Sequence, residues 1–291
     1  MNGLLNVSAR TFAKRVIKGV EYGVENYVCR RTSEITKMVF SLEDKVALVT
    51  GGSRGIGRAT ALGFARAGAD VVVASRKLPD LEKVAEEIRG LGRKSLSVAA
   101  HIGRLEEINN LVSKVREKFG RIDILVNNAG TSPTMASTLD ADERLWDSII
   151  NLNLKGLYFL SQAVARVMKE HGGGRIINVA SVAGFEAILN TGIYCISKAG
   201  VIMATKVMAR ELAQYNIRVN AIAPGETRTR LSLASVDPEW EKEVADKTPL
   251  GRIAEPDEVV GAMIYLASDA SSFVTGDTLV VDGGLSLYAA E

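Results

Sequence analysis

Residues 46–57 read Val-Ala-Leu-Val-Thr-Gly-Gly-Ser-Arg-Gly-Ile-Gly, and this stretch decides the fold. The apolar run 46–50 predicts a buried β-strand, the glycines predict a tight turn, and the apolar spacing of 56–67 predicts a helix directly after it. A helix that opens from such a turn offers free backbone N–H groups and a partial positive charge to a phosphate. The spacing is Gly-x-x-x-Gly-x-Gly and not the Gly-x-Gly-x-x-Gly of many dinucleotide-binding turns. The strand–turn–helix setting nevertheless favours a bound dinucleotide pyrophosphate over a purely structural turn.

The rest of the chain repeats this alternation of strand and helix. Further strands are predicted at 70–75, 95–100, 124–127, 175–180, 218–222 and 279–281. Helices are predicted at 56–67, 81–91, 106–119, 142–169, 199–214 and 257–267. The order predicts an α/β fold: a single doubly wound Rossmann-type domain with a seven-stranded parallel sheet and helices on both faces. In such sheets, ligands bind beyond the carboxyl ends of the strands.

Composition limits the partners of the chain. A length of 291 residues with 47% hydrophobic residues fits one large domain. A net charge of +2 gives no reason to expect nucleic acid, and no apolar run reaches the ~20 residues of a membrane span. Two cysteines and two histidines form no pattern of metal ligands, so no metal is expected. The low cysteine content favours a reducing, cytoplasmic location.

Residues 1–40 are expected to form a helical N-terminal extension ahead of a domain at 41–291. Residues 1–37 carry seven Lys or Arg and three Glu. An apolar stripe recurs there every four residues, at Phe12, Val16, Val20, Val24 and Val28. An organelle presequence would contain fewer acidic residues, so a docking or oligomer-contact helix is favoured, and an extension with no role in the chemistry also stays open.

The end of the second predicted strand indicates which dinucleotide binds. An acidic residue at this position would bond the adenosine 2′-hydroxyl and repel a 2′-phosphate, but the chain has Ser75 followed by Arg76. Arg54, in the glycine-rich turn, is a second cation expected near the adenosine ribose. Charge-assisted contacts from these two arginines favour NADP(H) over NAD(H).

Tyr194 and Lys198 form the candidate catalytic pair. They are four residues apart at the start of a predicted helix, so their side chains share one face. An ammonium beside a phenol stabilises the phenolate and lowers its pKa, which suits proton transfer to a carbonyl oxygen. Ser181, at the end of the fifth predicted strand, places a hydroxyl where it could hold that oxygen. A Tyr-x-x-x-Lys pair alone could equally be a surface feature, so the interpretation depends on all three groups.

Over about residues 41–285 the chain resembles the short-chain dehydrogenase/reductase family. Residues 50–57 resemble the cofactor turn of the family, Asn127-Asn-Ala-Gly130 resembles the motif after its fourth strand, and Pro224-Gly225 the motif after its sixth. The resemblance implies that Ser181, Tyr194, Lys198 and Asn153 are catalytic, with Asn151 the poorer match for the last. It also implies a set of cofactor-binding residues: Gly51, Ser53, Arg54, Gly55, Ile56, Gly57, Ser75, Arg76, His101, Ile102, Asn128, Ala129, Gly130, Tyr194, Lys198, Pro224, Gly225, Thr227 and Thr229.

The resemblance further implies a reaction. Hydride would pass from NADPH to a ketone or aldehyde carbon while Tyr194 donates a proton and Ser181 steadies the oxygen. Lys198 would bind the nicotinamide ribose and lower the pKa of Tyr194, and Asn153 would hold a water that links Lys198 to solvent. A homotetramer, or a homodimer, is the implied assembly. His101-Ile102-Gly103 departs from the family where many members carry an acidic residue near adenine.

Several functions stay open beside a general carbonyl reductase. A 3-oxoacyl thioester (acyl-carrier-protein) reductase and a polyol or sugar dehydrogenase would use the same catalytic residues. A non-catalytic NADP(H)-binding sensor is an alternative from a different class. The small-molecule substrate is expected to contact the loops at 131–138, 182–190 and 231–248, whose mixed composition favours a moderately apolar carbonyl compound.

Overall fold

A computed structural model describes residues 39–233 and 238–288 of the chain. The chain divides into two units, Met1–Ser41 and Leu42–Glu291. The helix predicted within residues 1–37 lies outside the described residues. The division into an extension at 1–40 and a domain at 41–291 therefore stays a prediction.

The second unit is built on one sheet of seven parallel strands in the order β3-β2-β1-β4-β5-β6-β7. The strands are β1 Val46–Thr50, β2 Asp70–Ser75, β3 Ser95–Ala99, β4 Ile124–Asn127, β5 Gly174–Val179, β6 Ile217–Pro224 and β7 Thr278–Val281. β1 is an interior strand, where Leu48 is paired with Val72 on one side and Leu125 on the other. The strand order reverses between β1 and β4, which is where doubly wound sheets bind their ligands.

Helices cover both faces of this sheet, which confirms the predicted fold class. They are α1 Gly55–Arg66, α2 Leu78–Gly90, α3 Leu105–Phe119, α4 Glu143–Ile150, α5 Leu157–Glu170, α6 Gly192–Leu212, α7 Arg230–Leu233, α8 Pro238–Lys247 and α9 Val260–Ala267. Alternate strand residues face opposite sides: Val71 and Val73 pack with α1, α2 and α9, whereas Val72 and Ala74 pack with α3, α5 and α6. Burial on both faces explains why the strands read as continuous apolar runs.

Two predicted helices differ from those observed. The helix predicted at 142–169 is divided by a π-helical turn, Asn151–Gly156, between α4 and α5. A side chain at Gly156 would overlap the Ile102 carbonyl oxygen, so the turn passes very close to the segment after β3. The helix predicted at 199–214 begins seven residues earlier, at Gly192. Residues 192–198 contain glycine, β-branched and aromatic residues of low helix propensity, and tertiary packing overrides that preference.

α6 continues through a 3₁₀ turn to Tyr215. Within the described residues, the stretch Gly192–Tyr215 is the one helix long and apolar enough to cross a membrane, by length and composition alone. Core helices of globular proteins meet the same criterion, and α6 packs against β6.

Candidate active site

The turn between β1 and α1 forms a cradle in which two glycines leave no room for a side chain. Gly51 has φ +64°, and a Cβ there would lie 2.6 Å from the Asn128 Nδ2 atom. A Cβ at Gly57 would overlap the Gly51 carbonyl oxygen. The first turn of α1 can therefore approach a ligand with its backbone, and its free N–H groups suit a pyrophosphate.

Thr50 and Asn128 join this cradle to the end of β4. The buried Thr50 hydroxyl donates to the Val126 carbonyl at 3.2 Å and accepts from the N–H groups of Asn128 and Ala129 at 3.0 and 3.1 Å. The Asn128 amide donates back to the Thr50 carbonyl at 2.8 Å. The motif 127–130 thus holds the phosphate turn in place. The structural role of Thr50 was not predicted from the sequence, although a hydroxyl that ends a buried strand could have indicated it.

An open groove of about 610 Å³ lies beside the cradle. Its lining residues come from the turn after β1 and from the segments after β6: Arg54, Gly55, Arg228, Thr229, Arg230, Glu255 and Pro256. Arg228 is paired with Glu241 and Glu255 at 2.5 and 2.8 Å, whereas neither Arg54 nor Arg230 has an ion pair among the described residues. Two unpaired guanidinium groups make the groove suitable for phosphates. Arg76 is exposed beyond β2 and does not line this groove.

Of the two threonines after Pro224-Gly225, Thr229 faces the groove and Thr227 does not. The Thr227 side chain is buried, and its hydroxyl donates to the Gly225 carbonyl at 3.2 Å. A Cβ at Gly55 would lie 3.2 Å from Thr229 Cγ2, which places Thr229 directly against the phosphate turn. A cofactor contact by the Thr227 side chain stays a prediction that this orientation does not favour.

His101 occupies the position where many family members carry an acidic residue, and its side chain is hydrogen-bonded within its own turn. His101 Nδ1 accepts from the Gly103 N–H at 3.1 Å, and the His101 N–H donates to Glu107 at 2.7 Å. The ring nitrogen therefore does for this turn what an aspartate carboxylate does in an Asx turn. Its neutral form, with the proton on Nε2, is the form that makes this bond.

Ser181, Tyr194 and Lys198 come together beyond the carboxyl end of β5. Ser181 Oγ accepts from the Ala183 N–H at 3.2 Å, and the Ser181 hydroxyl lies close enough to the Tyr194 phenol to lower its pKa. The Lys198 amine lies 5.5 Å from the centre of the Tyr194 ring and donates to the Val179 carbonyl at 2.7 Å. The arrangement places a proton donor, a second hydroxyl and an amine around one position.

Burial dominates the electrostatics of this group. Desolvation raises the pKa of the Tyr194 phenol to about 12, although its bond with Ser181 opposes the shift. Desolvation lowers the pKa of the Lys198 amine to about 8. The expected lowering of the Tyr194 pKa by Lys198 is therefore outweighed by burial in the protein alone. At neutral pH the phenol keeps its proton, and most of Lys198 is charged.

Asn153 lies in the π-helical turn and reaches the same site. Its side chain is 1% exposed, accepts from the Thr131 N–H at 2.8 Å and donates to the Thr131 carbonyl at 3.0 Å. It also donates to Ser197 Oγ at 3.2 Å, and Ser197 in turn donates to the Tyr194 carbonyl at 2.7 Å. A Cβ at Gly130 would lie 3.4 Å from Asn153 Oδ1 and 3.8 Å from Lys198 Nζ. The sequence did not single out Thr131 and Ser197, which position this asparagine.

In the described ranges 39–233 and 238–288, no three His, Cys, Asp or Glu side chains lie close enough together to hold a metal ion.

Comparison with known proteins extends over nearly all of the second unit. A family model described as enoyl-(acyl carrier protein) reductase matches residues 51–286. The chain is 42% identical over 247 residues to 2-dehydro-3-deoxy-D-gluconate 5-dehydrogenase of Escherichia coli K12, covering 84% of this chain and 96% of that protein. It is 43% identical over 245 residues to the 3-oxoacyl-[acyl-carrier-protein] reductase FabG of Thermotoga maritima, covering 84% and 98% of the two chains.

A solved structure has the same fold. The gluconate 5-dehydrogenase of Burkholderia cenocepacia J2315, in complex with NADP and tartrate, matches with a TM-score of 0.83 and 36% identity. The match covers 87% of this chain and 99% of that one. The sheet, the cradle and the site beyond β5 therefore belong to an architecture that binds NADP in a related protein.

Proposed function

The chain belongs to the short-chain dehydrogenase/reductase family, and on that premise we propose that it is an NADP(H)-dependent oxidoreductase that reduces a ketone or aldehyde to an alcohol, reversibly. One observation carries the proposal: the Ser181 and Tyr194 hydroxyls and the Lys198 amine meet at the end of the sheet that also holds the glycine cradle. A binding protein without turnover has no need of a desolvated phenol beside a buried amine.

Tyr194 is the proton donor in this mechanism. With a pKa of about 12, the phenol holds its proton at neutral pH and can release it to a carbonyl oxygen that gains negative charge. Ser181 accepts from the Ala183 N–H, so its own hydrogen can be donated to the same oxygen once a substrate is bound. A protonated phenol in the resting protein favours the reductive direction, because oxidation needs the phenolate.

Lys198 and Asn153 support the donor. The ammonium form of Lys198 stabilises the phenolate that remains once the proton has left. Asn153 fixes the first turn of α6 through Ser197 and the backbone of Tyr194, and it keeps the Thr131 segment in place. The phenol is thus held at a defined position, which hydride and proton transfer to one carbonyl group require.

The residues present fit a dinucleotide. The backbone of the cradle at 51–57 would hold its pyrophosphate, with Arg54 and Thr229 at the adjoining groove. Arg76, beyond a β2 that ends without a carboxylate, would bind the 2′-phosphate, which supports NADP(H) over NAD(H). When bound, NADPH supplies the hydride that no side chain of the chain can supply.

The cofactor assignment is tested with single arginine variants. Loss of one charge-assisted phosphate bond, worth about 1.5–3 kcal/mol, should raise the Kd for NADPH more than tenfold in Arg76→Ala and leave the Kd for NADH nearly unchanged. Arg66→Ala, a change in the last turn of α1, is the control. An unchanged ratio of the two Kd values in Arg76→Ala would show that Arg76 does not contact the 2′-phosphate, and Arg54 would then be the next candidate.

The reaction is tested by NADPH oxidation against ketones, aldehydes, diketones, keto-sugars and 3-oxoacyl thioesters, with NADH alongside. We expect turnover of at least one carbonyl class with NADPH as the better donor. The Escherichia coli and Thermotoga maritima relatives favour two narrower alternatives, a keto-sugar acid and an acyl thioester, and the same panel separates them. Binding of NADPH without turnover of any compound would favour the sensor alternative.

We also infer self-association into a tetramer or dimer. α5 and α6 leave large apolar side chains exposed, among them Phe159 at 37%, Ile196 at 51% and Met203 at 59%. An apolar surface of this kind on two adjacent helices suits burial against a second copy. Light scattering after size exclusion gives the assembly directly, and a monomeric mass would refute the inference. A cytoplasmic location is proposed on the cysteine content alone, and cell fractionation tests it.

A further inference from the structure

Glu226 is a charged residue at the catalytic end of the sheet that the mechanism does not use. It directly follows Pro224-Gly225 at the end of β6, the strand paired with β5, whose end carries Ser181. A side chain on Gly225 would lie 2.7 Å from Asp282 Cβ, and the Glu226 carbonyl accepts from the Ala254 N–H at 3.1 Å. The backbone at Glu226 is therefore held tightly at this position.

The Glu226 carboxylate has little to neutralise it. It accepts a hydrogen bond from the Ser232 hydroxyl at 2.9 Å, and within residues 39–233 and 238–288 no cation is paired with it. Arg228, two residues further on, is occupied by Glu241 and Glu255. Burial raises the pKa of Glu226 because desolvation penalises the charged form.

The same carboxylate acts on the catalytic phenol. Its negative charge is one of the causes that raise the pKa of Tyr194, so Glu226 lies within electrostatic range of the proton donor. The Lys198 amine lies 5.5 Å from the centre of the Tyr194 ring, but it is directed at the Val179 carbonyl. On the side of β5, burial and the charge of Asp282 raise the pKa of Glu186. Asp282 itself is bonded within its own turn by the Gly284 and Ser286 N–H groups.

We propose that Glu226 determines the charge of the substrate: its carboxylate disfavours carbonyl compounds that carry an anionic group near the reacting carbon and favours uncharged ones that offer a hydrogen-bond donor. The inference rests on the proposed reductase function and names the substrate class of the same site. Repulsion between two like charges in a partly solvated site is worth about 1 kcal/mol, so we expect roughly a tenfold discrimination.

The test compares one carbon skeleton with and without a charge. The rates of NADPH oxidation with ethyl acetoacetate and with acetoacetate are measured at pH 7 for wild type, Glu226→Gln and Glu117→Gln. Glutamine keeps an acceptor oxygen for Ser232 and removes only the charge. Glu117 is an exposed carboxylate in the last turn of α3, away from the carboxyl end of the sheet, and serves as the matched control.

We expect wild type and Glu117→Gln to prefer the ester, and Glu226→Gln to lose about tenfold of that preference through a higher kcat/KM for the acid. A preference that stays within threefold of wild type in Glu226→Gln would overturn the proposal, as would a wild type that prefers the acid.

A binding measurement keeps the two proposals distinguishable. Benzoate and benzamide are titrated into each protein with NADPH present, and the fluorescence of NADPH reports binding beside the nicotinamide. Wild type should bind benzamide about tenfold more tightly, and Glu226→Gln should bind both alike. Failure to reduce either acetoacetate compound would count against the reductase function, whereas no advantage for benzamide, or the same advantage in Glu226→Gln, would overturn the role of Glu226.

Discussion

Replacing Lys198 by methionine should stabilise the protein at neutral pH while it removes the proposed activity. Lys198 is 5% exposed and has no carboxylate partner in the described part of the chain; its amine donates to the Val179 carbonyl. Its pKa falls from 10.5 to about 8, so at pH 7 the fold carries a charge that burial disfavours. A shift of this size corresponds to about 3 kcal/mol of lost stability. Loss of the bond to Val179 costs about 1 kcal/mol, which leaves a net stabilisation of about 2 kcal/mol.

The pH dependence separates this cause from better packing of methionine. The folded pKa lies below the unfolded one, so the unfolded chain binds the extra proton between pH 8 and 10.5, and wild-type stability rises there relative to the variant. At pH 9.5 the charge penalty falls to about 1 kcal/mol, and the variant should be about as stable as wild type.

The assay is urea unfolding at pH 7 and pH 9.5, with Lys206→Met, an exposed lysine on the same helix, as the control. In thermal unfolding at pH 7 the expected rise in Tm is about 4–8 °C. A Lys198→Met variant less stable than wild type at pH 7, or equally more stable at both pH values, would refute the account of Lys198 as a strained buried cation.

Three other changes test separate parts of the account. Thr50→Val removes the acceptor of two backbone N–H groups and should lower the free energy of unfolding by about 2–3 kcal/mol in urea; a loss under 0.5 kcal/mol would contradict its bridging role. Gly57→Ala places a methyl against the Gly51 carbonyl and should raise the Kd for NADPH at least about tenfold by fluorescence titration, and unchanged binding would show that the cradle does not hold the pyrophosphate. The reductive kcat/KM should fall as pH rises through about 8, because Lys198 loses its proton there while the phenol stays protonated, and a flat profile to pH 9.5 would argue against that role.

The fold could be predicted from the sequence because its signals are strong and local. Strands such as β1 and β2 are buried on both faces, so their apolar runs stand out, and the helices between them have regular apolar stripes. The doubly wound, seven-stranded sheet is confirmed. The interruption between α4 and α5 could not be predicted, because it depends on the contact of Gly156 with the carbonyl of Ile102, 54 positions earlier in the chain.

The candidate site was predicted in part. Motif spacing was enough to select Ser181, Tyr194 and Lys198, and the structure brings them together, while their catalytic roles stay predictions. Sequence spacing could not predict that Thr229 lines the groove whereas the Thr227 hydroxyl is bonded within its own loop. That difference depends on how the backbone turns after Pro224. The balance of burial over charge at Tyr194 also needs the packed structure, because desolvation is not visible in a sequence.

The most direct test of the account follows a labelled hydrogen. NADPH deuterated at the transferable position of the nicotinamide is incubated with wild type, Tyr194→Phe and a carbonyl substrate from the panel, and the alcohol is analysed by mass spectrometry. We predict one deuterium on the carbinol carbon with wild type and a turnover at least about a thousandfold lower in Tyr194→Phe, whose fold and NADPH binding are retained. An alcohol without deuterium, or a Tyr194→Phe variant as active as wild type, would contradict hydride transfer with Tyr194 as the proton donor.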